Sequence, residues 1–127
     1  MIEIYVGVTQ NPSVNVGGWG VVLVEEEGLP PKKYKGCETG ATHNAMALRG
    51  AIEGLSKTEQ GCEAEILSNN QYLVLGINDS RQRKANRVLW SELEELLNRR
   101  NVKARQIGGK EKWLKEAQML AKEATGS

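Results

Sequence analysis

At 127 residues the chain is long enough for one domain with a single modest core and too short for two. Its 39% hydrophobic and 26% charged residues are the balance of a soluble globular protein, which excludes disordered, collagen-like and membrane-spanning classes and any membrane partner; no signal-peptide pattern opens it. A formal net charge of +1 singles out no nucleic-acid partner, and Cys37 and Cys62, in no CxxC pair and apart from any histidine, predict buried thiols in a reducing, cytoplasmic setting rather than a zinc site or a disulfide framework.

Residues 2–8 are β-branched at Ile2, Ile4, Val6 and Val8 and alternate, which predicts a strand. A turn over 10–16 follows, rich in Asn11, Pro12, Ser13 and Asn15. A second strand over 18–24 ends at a turn over 25–28 and Pro30-Pro31, and 32–38 predicts a third, edge strand. Short turns make these three an antiparallel meander. From Thr42, a natural N-cap, the period changes: Met46, Leu48, Ala51, Ile52 and Leu55 fall at helical spacing. A fourth strand is predicted over 63–67, and a short helix from Asn69 or Asn70 through Leu75. An amphipathic helix over 87–100 has Leu89, Leu93, Leu96 and Leu97 inward; a fifth strand over 102–107, a Gly108-Gly109 break and a helix over 111–124 close the chain. The order β-β-β-α-β-α-α-β-α implies a five-stranded mixed α/β sheet, three antiparallel strands then two parallel, flanked by helices in one domain. Trp19, Trp90 and Trp113 are expected as core or half-buried anchors.

Charge is uneven along this order. Residues 1–60 carry five Lys/Arg against seven Glu (net −2), and residues 61–127 carry twelve against nine acids (net +3). The excess lies mostly in 81–87 and 99–112, so a near-neutral chain can present one basic face.

Five segments carry a likeness. Strand one with Gly17-Gly18-Trp19-Gly20, then Thr42-His43-Asn44-Ala45-Met46-Ala47-Leu48, Ser68-Asn69-Asn70-Gln71-Tyr72, Leu89-Trp90 and Ala117-Gln118-Met119-Leu120-Ala121 resemble, in order and register, type 1 ribonuclease H. That family cuts the RNA strand of RNA/DNA hybrids with metal ions held by four carboxylates. The resemblance places those four positions at Gly7, Ala47, Asn69 and Gln118, all neutral here, and a loop histidine of the family near Gly108. It thus implies a ribonuclease H-like fold with a degenerate metal site.

Two divalent ions about 4 Å apart repel by roughly 4 kcal/mol in water and about 17 kcal/mol at an effective dielectric of 20. Hard Mg²⁺ or Mn²⁺ at that spacing needs anionic oxygens. Asn69 and Gln118 offer one neutral carbonyl oxygen each, and Gly7 and Ala47 offer no side-chain ligand. A rebuilt site would have to recruit other acids, and each is badly placed. Glu3 lies about 13 Å from Gly7 along the strand, Glu116 sits about 200° around a helix from Gln118, and Asp79 lies beyond the strand-four end. The expectation is no cofactor.

The resemblance also places hybrid contacts at Thr42, His43, Asn44 and Gln71, where amides meet base edges and sugars in the minor groove. From the residues alone, Thr42 and Asn44 read equally as helix caps, and Gln71 and His43 as solvated first-turn residues. Arg81, Arg83, Lys84 and Arg87 stand where many family members carry a basic protrusion; they read equally as a solvated interhelical loop. Three function classes follow. The first is a silent domain that binds RNA/DNA hybrid or double-stranded RNA weakly. The second is a protein-interaction module with a protein partner or a second copy. The third is an active nuclease with a rearranged metal site.

Overall fold

The computed structural model describes residues 1–26 and 28–126. Glu27, within the turn expected over 25–28, lies outside the described residues. Strands β1 (Ile2–Asn11), β2 (Val16–Val24) and β3 (Lys32–Thr39) precede helix α1 (His43–Ser56). Then come β4 (Glu63–Ser68), α2 (Gln71–Asn78), a 3₁₀ turn (Ser80–Gln82), α3 (Arg87–Asn98), β5 (Asn101–Gln106) and α4 (Lys112–Thr125). The sheet order is β3-β2-β1-β4-β5; β1 pairs antiparallel with β2 and parallel with β4, β2 with β3 is antiparallel, and β4 with β5 is parallel. Every expected element is present, and the 3₁₀ turn is additional. The long β1–β2 ladder runs from Glu3↔Val24 to Asn11↔Val16, so both strands extend past the hydrophobic runs that marked them.

Alternation along β1 assigns the two faces. Ile4 and Val6 join Val21, Leu23, Met46, Leu48, Leu55, Ile66, Trp90 and Leu93 in the larger core, under α1 and α3. Tyr5, Val22 and Leu67 pack with Leu114 and Ala117 of α4 on the opposite face. Trp19 and Trp90 are buried; Trp113 is half-buried against the smaller core. The two thiols are not buried as expected: Cys37 is exposed and Cys62 intermediate. Cys37 sits opposite Gly18 on β3, an outermost strand with a neighbour on one side only. Cys62 precedes β4 in a loop.

α4 lies unusually close to the sheet because one face of the β1–β2 ladder is glycine. Gly7 pairs with Gly20, and Gly18 stands two residues along β2. A Cβ at Gly7 would fall 2.5 Å from the Gln118 backbone nitrogen, and one at Gly18 would fall 2.5 Å from the Ala121 carbonyl oxygen. At Gly20 it would strike the Ala117 carbonyl. Ala117 and Ala121, both 0% exposed, complete the contact from the helix side.

Candidate functional site

The carboxyl ends of β1 and β4 meet the amino ends of α1 and α2 at one end of the sheet. Ser68, 0% exposed, fixes the join. Its hydroxyl donates to the Val6 carbonyl (2.9 Å) and accepts from the Asn70 N–H (3.1 Å). Thr42 caps α1, its hydroxyl accepting from the Ala45 N–H at 3.1 Å. Asn70 caps α2, accepting from the Leu73 N–H at 2.9 Å, and donates through Nδ2 to Asn44 Oδ1 at 3.2 Å. Asn44 is therefore a tie between two helix starts and not a cap. Asn70, named in the sequence only as an alternative helix start, is the residue that joins them. Its partner lies 26 positions away, beyond the reach of any local pattern.

His43, Asn44, Asn69 and Gln71 are exposed, and Gln118 is half-buried. The side chains of Asn69, Gln71 and Gln118 make no hydrogen bond among the described residues. Of the four positions matched to family carboxylates, Gly7 and Gln118 are in contact and Asn69 follows Ser68, which is bonded to Val6 beside Gly7. Gly7 is buried beneath α4, Ala47 is 0% exposed within the larger core on the other face, Asn69 lies beyond the end of β4, and Gln118 flanks Gly7 from the helix. These residues do not fit a divalent ion: two carry no donor, and helix backbone fills the space a side chain at position 7 requires.

Acids that might substitute are engaged elsewhere. Among the described residues no group of three or more His, Cys, Asp or Glu converges. Glu116 pairs with Lys33 of β3 at 2.8 Å. Asp79 pairs with Arg81 at 3.1 Å, and the Arg81 side chain and N–H hold its carboxyl below the usual carboxylate range. Glu3 accepts from the Tyr5 hydroxyl at 3.4 Å. Burial first, then the charges of Glu3 and Glu111, push the Tyr5 phenol up to about 12.

The basic segment is built, not loose. Arg83 is tucked inward: Nε donates to the Gly76 carbonyl (2.8 Å), the guanidinium lies 4.9 Å over the Trp90 ring, and Glu94 is 3.5 Å away. That contradicts its reading as a solvated loop residue and leaves its charge largely spent within the fold. Tyr72 organises the rest. Its hydroxyl accepts from Trp90 Nε1 (2.8 Å) and Asn86 Nδ2 (3.1 Å) and donates toward the carbonyl of Lys84. These bonds hold Ala85 (φ 58°) and Asn86 (φ 52°) in the left-handed region. Lys84 and Arg87 are exposed with no ion pair among the described residues, and Arg81 is exposed but paired with Asp79.

A family model described as RNase H matches residues 2–125. A ribonuclease H of Pseudomonas fluorescens is 30% identical over 121 residues, covering 85% of this chain and 79% of the relative. One from Solibacter usitatus is 35% identical over 96 residues, covering 65% and 64%. Among solved structures, an RNase H1 from the archaeon Halobacterium salinarum superposes with a TM-score of 0.80 at 17% identity, covering 98% of this chain and 97% of its own. A type 1 RNase H with the type 2 active-site motif superposes at 0.79 and 24% identity, covering 98% and 72%. At these identities the structural matches establish the fold.

Proposed function

The chain belongs to the RNase H family, and from that premise we propose that it is a catalytically silent member that binds RNA/DNA hybrid or double-stranded RNA weakly. The observation that carries silence is the space at Gly7, where a Cβ would lie 2.5 Å from the Gln118 nitrogen. Strand one offers no carboxylate at position 7, and the helix backbone lies over the place where one would stand. Ala47 adds to this, being fully buried among apolar side chains. Without anionic ligands nothing stabilises two metal ions, and no metal-bound hydroxide forms near neutral pH.

Weak binding is supported by what remains around the sheet end. Asn44 and Gln71 keep the positions of groove-facing amides, and Lys84, Arg87 and paired Arg81 supply positive charge. Two or three phosphate contacts give a log–log salt slope of roughly −2 to −3, which leaves modest affinity at physiological salt. In this reading Thr42 serves the helix and His43 faces the ligand. The protein acts in the cytoplasm.

One hybrid tests both halves. A labelled RNA/DNA hybrid incubated with stoichiometric protein and Mg²⁺ or Mn²⁺ is expected to stay intact while shifting in a low-salt gel. Metal-dependent fragments overturn silence. Failure of hybrid, double-stranded RNA and DNA alike to shift overturns binding.

A further inference from the structure

At the opposite end of the sheet, where β1 and β4 begin, a cavity of about 350 Å³ opens between the strands and the chain that follows α1. Ile2 and half-buried Cys62 give it an apolar side. Glu25 and Lys32 border it from the ends of β2 and β3, and Lys57 and Glu59 from the end of α1. The wall after α1 is braced by the fold itself. Arg100 grips Thr58 twice, with Nε donating to its hydroxyl and Nη2 to its carbonyl, both at 2.7 Å. The Thr58 hydroxyl donates in turn to the Leu55 carbonyl (2.7 Å). Gly61, left-handed at φ 85°, turns the chain into Cys62 and donates its N–H to the Arg99 carbonyl (2.7 Å). The Cys62 carbonyl accepts from the Asn101 N–H at 2.9 Å. With Thr58 committed to these bonds, Lys57 and Glu59 on either side of it carry the free groups of this wall. The Lys57 ammonium stands 5.2 Å from the centre of the Tyr34 ring. Neither Lys57 nor Glu59 forms an ion pair or a side-chain hydrogen bond among the described residues, whereas Lys32 and Glu25 are paired at 2.6 Å.

We propose that this cavity is a binding site for a small zwitterion, an α-amino acid or a dipeptide with free ends. The lining carries two ammonium groups and two carboxylates, so a simple anion or cation meets as much repulsion as attraction. A ligand bearing both charges meets opposite charges at both ends, its carboxylate at Lys57 and its ammonium at Glu59, with its stem toward Ile2. The volume of about 350 Å³ lies at the small end of the roughly 300–1,000 Å³ typical of ligand sites, which suits a ligand of this size. A wall already braced loses little freedom on binding. The charged side chains are exposed, so each ionic contact is weak and the expected dissociation constant is about 1 mM. The site stands apart from the hybrid-binding reading, which concerns the other end of the sheet.

The two thiols supply the test. Cys62 lines the cavity, and Cys37 is exposed five residues beyond Lys32 on β3 and serves as the reference in the same sample. Alkylation by iodoacetamide is followed at each by peptide mass spectrometry, with dialanine as the probe. At about 10 mM dialanine Cys62 is expected to react roughly tenfold more slowly while Cys37 keeps its rate. N-acetyl-dialanine, an anion, and dialanine amide, a cation, are expected to leave Cys62 unprotected. Equal protection by either single-charge analogue overturns the zwitterion assignment. Unchanged rates with dialanine, or equal slowing of both thiols, overturn the site. Glu59→Gln is expected to reduce the protection to about twofold or less without moving the thermal midpoint, since that carboxylate has no partner among the described residues. Full protection in this variant removes Glu59 from the contact and overturns the proposal. Amide chemical shifts repeat the titration without the thiol. Dialanine is expected to move the resonances of residues 57–62, and their failure to move overturns the proposal even where Cys62 reacts too slowly to follow.

Discussion

Tyr5 shows how a single side chain reports the local field. Its phenol is pushed from an ordinary 10.0 to about 12 by burial and by Glu3 and Glu111. Below pH 10 the group is protonated in folded and unfolded chains alike and its contribution to stability is complete. As pH rises from about 10 to about 12 the unfolded chain ionises first, so stability falls across that window. A phenolate absorbance titration of the folded protein is expected to show Tyr5 titrating late, and Tyr5→Phe to remove that step. Tyr72 makes a second case. Tyr72→Phe strips Trp90 Nε1 and Asn86 Nδ2 of their acceptor, at a cost of about 1–3 kcal/mol in urea unfolding. A loss well below that range would show that water replaces the hydroxyl.

At the scale of elements, α2 is held from two sides. Trp90 of α3 lies against Gly76, where an added methyl would overlap the indole. Asn78 at the end of α2 places its amide on the outer edge of β5, donating to the Ala104 carbonyl (2.9 Å) and accepting from the Ala104 N–H (3.0 Å). One side chain thus occupies hydrogen-bonding groups that an added strand would use. Asn78→Ala is expected to cost about 1–2 kcal/mol and to raise self-association in sedimentation at high concentration. A variant as stable and monomeric as the parent would remove Asn78 from this role.

These contacts also mark how far the sequence could be read. α1 was legible because Thr42 and the Met46–Leu55 spacing are local signals, β1 and β2 because β-branched runs are, and β3 from a short polar alternation. The Arg83–Trp90 stacking, the Asn78–Ala104 bonds and the Asn44–Asn70 tie join residues from different elements, so no spacing announces them. Gly7, Gly18 and Gly20 were visible as glycines, but only the β1–β2 register puts them on one face beneath α4. The neutral residues at the four family positions were readable from the alignment of motifs; that a helix fills the space at one of them was not.

Across the whole molecule, both edges of the sheet are blocked, β3 by charge and β5 by an amide. On β3, Lys32 pairs with Glu25 (2.6 Å), Lys33 with Glu116 (2.8 Å) and Lys35 with Glu123 (3.0 Å). Such exposed pairs add little stability, but edge lysines disfavour strand addition. With β5 guarded by Asn78, neither edge invites a partner strand, which weighs against a scaffold role based on sheet extension. The glycine face beneath α4 then links fold to function. It lets the helix backbone sit directly on the sheet, and the same close contact takes the room of a strand-one carboxylate. The most direct measurement is urea unfolding of Gly7→Asp with and without Mg²⁺. The account expects a loss of about 3 kcal/mol or more, from overpacking and burial of a carboxylate, which Mg²⁺ does not restore. A variant as stable as the parent, or one stabilised by Mg²⁺, would mean that the space was open and the metal site recoverable, and would contradict it.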